Sequence, residues 1–194
     1  MVGRKRRQAF QHLKDRIKMK IDTWSTRLLL QGGKEVFIKA VLQAIPTYTM
    51  GCFLLPKSLC EEMEQTIAKF WWQKRHGRRE IHWCSSSNLC ELKENDGLGY
   101  HNLAKFNLAF LAKQGWKLIE NLNSLLAQTS KAKSYRNTNF LNSDLGNLPS
   151  YTWKSMWAAK GLLLTGLCWR IGNGRDVRIE EDVWVSNAEN SHIQ

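Results

Sequence analysis

Ser58-Leu-Cys-Glu-Glu-Met-Glu-Gln-Thr-Ile-Ala-Lys-Phe-Trp-Trp72 is the stretch on which the fold turns. Leu59, Met63, Ile67, Phe70 and Trp71 recur at steps of three or four, which puts them on one stripe of a helix, and Ser58 followed by Glu61 has the spacing of a capping box. A stripe that wide needs a second apolar surface to cover it. Upstream, Phe10, Leu13, Ile17, Ile21 and Trp24 repeat the pattern. After an interruption at Gly32 and Gly33, Val36, Phe37, Ala40, Val41 and Ala44 do so again, until Pro46 ends the run at Ile45 and leaves Tyr48 to Leu55 as a turn or short extended stretch.

Downstream, Ile81 to Cys84 reads as a short strand, Ser85 to Ser87 as the cap of a short helix over Asn88 to Leu92, and Asp96-Gly-Leu-Gly99 as a turn. Leu103, Phe106, Phe110, Leu111, Leu118 and Ile119 predict a long helix despite Gly115, and Ser124 caps another from Leu125 to Lys133. Tyr135 to Pro149 is polar, Asn-rich and without period, the pattern of a linker. Ser150 caps a helix carrying Trp153, Met156, Trp157, Leu163 and Leu164 that Gly166 ends. Cys168 to Ile171 and Val177 to Ile179, flanking Gly172-Asn-Gly-Arg175, read as a β-hairpin. The fold class is mainly α with a small C-terminal β-hairpin, divided into a helical region 1–134, a linker 135–150 and a helix-plus-hairpin segment 151–194.

The 194 residues suffice for one domain, and 43% hydrophobic with 24% charged residues is the composition of a globular chain rather than a disordered one. Lys and Arg number 29 against 17 Asp and Glu, a net +12 that points to a polyanionic partner. The first twenty residues hold a net +7 of this, from Arg4, Lys5, Arg6, Arg7, Lys14, Arg16, Lys18 and Lys20 against Asp15. Such a helix suits a grip on nucleic-acid backbone and equally a solvated face. Arg4 to Arg7 also fit nuclear import, and a mitochondrial presequence would be richer in serine. The basic loop Lys74, Arg75, Arg78 and Arg79 is the second candidate phosphate site. Five cysteines without paired spacing indicate free thiols in an intracellular, reducing setting, and no apolar run is long enough for a membrane span.

Chemistry is poorly provided for. Two-metal nucleotidyl transfer needs converging carboxylates, and no Asp-Asp pair exists. Asp176, Glu180, Glu181 and Asp182 form a strip that suits solvent better than magnesium. His82, Cys84, Cys90 and His101 match none of the paired zinc spacings, Gly32-Gly-Lys34 lacks the rest of a P-loop, and Gly97-Leu-Gly99 lacks the third glycine of a dinucleotide turn. No metal and no cofactor is expected. The nine tryptophans read chiefly as core anchors, with stacking on unpaired bases as the alternative for those beside basic residues, such as Trp71 and Trp72.

Several segments carry a family resemblance. Gly33-Lys-Glu-Val-Phe-Ile-Lys-Ala-Val-Leu-Gln-Ala-Ile-Pro-Thr-Tyr-Thr-Met50, Phe53-Leu-Leu-Pro-Lys-Ser-Leu-Cys60, Phe70-Trp-Trp72, Ile81-His-Trp83, Gly97-Leu-Gly-Tyr100, Leu111-Ala-Lys-Gln114, Pro149-Ser-Tyr-Thr-Trp153 and Trp169-Arg-Ile-Gly-Asn-Gly174 follow in order. Together they resemble the C-terminal part of plant LINE-type (non-LTR) retrotransposon reverse transcriptases, from about Gly3 to Trp184. In that family the palm with its Tyr-x-Asp-Asp lies upstream and a Cys/His zinc-binding segment follows. The resemblance therefore implies a truncated, thumb-like helical bundle that holds template and product and does no chemistry.

The expected partner is RNA or DNA backbone, held through Arg4, Lys5, Arg6, Arg7, Lys74, Arg75, Arg78 and Arg79. A palm-bearing polymerase chain and a second copy of this chain are further partners to consider. The alternative is a relic product serving only as a structural or interaction module. A third option, an active polymerase or nuclease, would have to use Asp176, Glu180 and Asp182.

Overall fold

The computed structural model describes residues 6–25, 30–73, 86–95 and 97–167. The strand expected at 81–84 and the hairpin at 168–179 lie outside them. Among the described residues every regular element is helical and no strand occurs, so the architecture is mainly α.

A short α1 (Arg6–Ala9) leads into α2 (Gln11–Ser25), and α3 (Gln31–Phe37) continues into a π-helical turn, Ile38–Leu42. Next come α4 (Thr47–Met50) and α5 (Lys57–Trp72), then α6 (Ser86–Leu89) with a 3-10 turn at Lys93–Asn95. The chain continues with α7 (Leu103–Glu120), α8 (Leu125–Ser134), α9 (Tyr151–Ala158) and α10 (Lys160–Gly166). The stripes of α2 and α5 face each other, α5 packs on α7, and α7 packs in turn on α9 and α10.

Two cores result. Phe10, Leu13, Ile17 and Ile21 of the N-terminal helices meet Phe37, Ile38, Leu42, Met50, Leu59, Met63, Ile67 and Phe70 in the first. Each fully buried aliphatic side chain there contributes about 1.5–3 kcal/mol relative to exposure. Leu111, Leu118, Ala127, Tyr135, Phe140, Trp153, Met156 and Ala159 form the second. Helix α7 serves both, its Leu103 end in the first and its Leu111–Leu118 stretch in the second.

Asn107 fixes the seam between them. This residue is 1% exposed, its amide donates to the carbonyls of Met50 (2.8 Å) and Phe53 (2.9 Å), and its oxygen accepts from the Leu55 amide (2.8 Å). One side chain thus satisfies three backbone groups between Met50 and Leu55. From the other side, the Ser155 hydroxyl accepts from the Leu54 amide (2.9 Å) and the Tyr151 hydroxyl donates to the Leu54 carbonyl.

Several local expectations need correction. Helix α5 begins at Lys57 with Pro56 in the capping position and no side-chain cap, so Ser58 lies inside the first turn rather than before it. Gly32 and Gly33, read as an interruption between helices, sit within the start of α3. The stripe after them shifts by one residue: Ile38 and Leu42 are buried, whereas Val36 is 66% exposed. Side-chain size explains the shift, because Ile38 and Leu42 bury more apolar surface than Ala40 and Ala44 would. After Pro46 the chain makes one helical turn, α4, at the start of the stretch read as a turn or short extended segment. The helix from Ser150 is broken at Ala159 into α9 and α10.

Other expectations hold. Ser124 and Ser150 cap their helices by accepting from Ala127 N and Trp153 N, each at 3.2 Å. Gly115 is closely packed: a Cβ would lie 2.7 Å from Leu163 Cδ1 and 2.9 Å from Phe140 Cε1, so both side chains would have to shift to admit one. The stretch 135–150 has no regular helix, yet Tyr135 and Phe140 are buried in the second core. Two of its carbonyls are held by side chains: Trp153 Nε1 donates to Leu145 O (3.2 Å), and Trp157 Nε1 (3.3 Å) and Lys160 Nζ (2.8 Å) donate to Ser143 O.

Candidate nucleic-acid interface

On α2 the N-terminal charge becomes a surface. Burial of Phe10, Leu13, Ile17 and Ile21 turns the intervening cations away from the core, and Arg16, Lys18 and Lys20 are exposed. Arg7 and Lys14 behave differently. Both donate to the carboxylate of Glu62 on α5, which clamps the N-terminal helices onto the first core. The hydrogen bond from Lys14, with the charges of Arg7 and Lys18, holds the Glu62 carboxyl below its ordinary value of 4.5 against the opposing effect of burial.

Of the eight residues expected to bind phosphate, Arg7 is the one whose side chain is described. It is paired with Glu62 yet 60% exposed, so its guanidinium retains donors that face water. Arg6 opens α1, and nothing of its side chain is described. Arg4, Lys5, Lys74, Arg75, Arg78 and Arg79 lie outside the described residues.

Glu62 was not singled out from the sequence. The available signal was its position three residues after Leu59, at the edge of the buried stripe, where cations of a neighbouring helix reach it. Lys34 was missed as well. Its ammonium approaches the Trp71 carbonyl (3.5 Å), donates to that of Gln73 and lies 5.7 Å from the Phe70 ring centre. The Gly32-Gly-Lys34 run therefore serves the C-terminus of α5, where terminal carbonyls and the helix dipole favour a cation. Glu35 accepts from Lys39 (2.8 Å) and pairs with Lys93 (3.1 Å), and both lower its pKa.

Other chemistry has little to build on among the described residues. Cys52, Cys60 and Cys90 are free thiols. Burial pushes Cys60 up to about 12 and Cys90 up to about 11, so neither supplies thiolate near neutrality. Glu64 is spent on accepting from the Leu103 amide (2.6 Å) at the start of α7, and burial raises its carboxyl above 4.5. Among the described residues no three His, Cys, Asp or Glu side chains converge, and no helix is long and apolar enough to cross a membrane. Trp71 is buried in the first core and Trp153 in the second.

Comparison with known proteins adds two relatives from Arabidopsis thaliana. One, the "Uncharacterized mitochondrial protein AtMg00310", is 35% identical over 143 residues, which cover 73% of this chain and 93% of that protein. The chain belongs to the family of that protein. The other, the "Putative ribonuclease H protein At1g65750", is 27% identical over 189 residues, 93% of this chain but 30% of the relative, so the chain spans under a third of that protein's length. No protein-family model and no solved structure matches the chain.

Proposed function

We propose that the chain is a retroelement-derived helical region that holds nucleic acid and performs no chemistry itself, corresponding to the thumb-like part of a LINE-type reverse transcriptase. The observation that carries this reading is the division of α2, which buries Leu13, Ile17 and Ile21 and presents Arg16, Lys18 and Lys20 to water, downstream in sequence of the basic run Arg4–Arg7. The likeness to the "Putative ribonuclease H protein At1g65750" supports the nucleic-acid part of this reading.

Arginine and lysine on phosphates set affinity and its dependence on salt while leaving the base sequence unread. Anisotropy of labelled single-stranded RNA and DNA across a salt series tests the reading. The expected plot of log affinity against log salt falls linearly, by about 0.7 per phosphate contacted. Absence of binding at low salt, or binding indifferent to salt, refutes it. Magnesium-dependent extension or cleavage by the purified chain would refute the non-catalytic half.

A second reading, an interaction module, is favoured by apolar exposure on the C-terminal half. Leu122, Leu125 and Leu148 are 66%, 77% and 98% exposed, and Leu148 borders a groove of about 560 Å³ between α8 and the start of α9. Sedimentation velocity over a hundred-fold concentration range separates the two: this reading requires self-association without nucleic acid.

A further inference from the structure

The outer face of α7 carries a pattern that the proposed reading leaves unused. At about 100° per residue, Lys105, Ala109, Lys113, Trp116, Lys117 and Glu120 fall within one sector of about 120°, and all six are exposed. None of the three lysines makes an ion pair with a described residue, in contrast to Arg7 and Lys14. The sector's acid, Glu120, accepts from the Trp116 indole at 3.0 Å and so orients the ring. Trp116 is 40% exposed, whereas Trp71 and Trp153 are buried. At the other end of the face, the exposed His101 lies flat on Phe106, their centres 4.3 Å apart and the planes 13° from parallel. The lysines span about 18 Å of helix.

A cationic row ending in a fixed, half-exposed indole offers phosphates a counter-charge and an unpaired base a stacking plane. We infer that this face of α7 binds single-stranded nucleic acid, with Lys105, Lys113 and Lys117 on the backbone and Trp116 beneath a base. The inference rests on the proposed function and gives it a second surface, separate from Arg4–Arg7.

The test is anisotropy of labelled oligo-dT and oligo-U over a salt series, with the full chain and with variants whose fold is checked by circular dichroism. In Lys105→Ala/Lys113→Ala/Lys117→Ala the magnitude of the salt slope should fall by about 2, at about 0.7 per lost contact. Lys57→Ala/Lys131→Ala/Lys154→Ala removes the same charge from α5, α8 and α9 and should change the slope far less. Trp116→Ala should weaken binding about ten-fold with the slope intact, and Trp116→Phe should recover part of the loss. Equal effects from the two lysine triples, or full affinity in Trp116→Ala, overturn the inference while leaving nucleic-acid binding in place. A wild-type chain that binds neither oligomer removes the proposed function as well. The two oligomers distinguish an RNA from a DNA ligand.

Discussion

The first core is assembled from long amphipathic helices and the second around a stretch with no helix at all. In the first, α2 and α5 satisfy their own backbones and contribute mainly aliphatic side chains such as Leu13, Ile17, Leu59 and Met63. In the second, Tyr135, Phe140 and Trp153 surround the irregular segment 135–150, with Tyr135 stacked on Trp153 at 5.4 Å and Phe140 edge-on to it at 5.8 Å. There the carbonyls of Ser143 and Leu145 depend on donors from Trp153, Trp157 and Lys160. A core of the first kind tolerates volume-conserving exchange at Leu13, Ile17, Leu59 and Met63, because these side chains carry no hydrogen bond that a neighbour depends on. The second kind couples packing to hydrogen bonding, since a lost donor leaves a buried acceptor unpaired.

The largest effect that would probe this contrast is Trp153→Ala. It should cost about 4 kcal/mol by urea denaturation, from the lost ring and the orphaned Leu145 carbonyl together. Trp153→Phe keeps an aromatic ring while removing the indole donor and should still cost about 1 kcal/mol. A value near zero would mean that the second core is held by packing alone, like the first.

Asn107→Leu cuts the seam between the cores, stranding Leu55 N–H and the carbonyls of Met50 and Phe53, and should cost about 3 kcal/mol. Hydrogen exchange should then rise first at 50–55. Gly115→Ala sharpens the comparison from the other direction. Helix propensity alone would reward it, but the clash with Phe140 and Leu163 should leave the chain about 1–2 kcal/mol less stable.

The smallest effect is electrostatic and belongs to the first core. The folded pKa of Glu62 is lowered, so its clamp stabilises the chain above about pH 4.5, the ordinary carboxylate value, and that contribution is lost as pH falls through the lower folded value. Glu62→Gln should therefore flatten the acid side of a urea-midpoint profile. Glu64 runs the other way: its raised folded pKa means that stability falls as pH rises through the window above 4.5, and Glu64→Gln should remove that decline.

Much of the first core was legible in the sequence because amphipathic periodicity is a local property: Leu13, Ile17, Leu59, Met63 and Ile67 all face inward as their spacing requires. The caps at Ser124 and Ser150 were legible for the same reason, since a cap bonds to its own helix three residues on. Segment 135–150 was not, because nothing local marks Tyr135 and Phe140 as buried. Their environment comes from α7 and α9, distant in sequence. Of the candidate site, the basic character of α2 could be read directly, but the capture of Arg7 and Lys14 by Glu62 could not, because it depends on which face of α5 meets α2.

By itself the sequence determined that the protein is basic and helix-rich, and which faces of its long helices turn inward, since charge and period are counted along the chain. Tertiary structure decided which cations Glu62 engages, what a side chain at Gly115 would meet and how the carbonyls of Ser143 and Leu145 are satisfied. Each of these depends on groups brought within a few ångströms by packing, a distance that no spacing along the chain encodes.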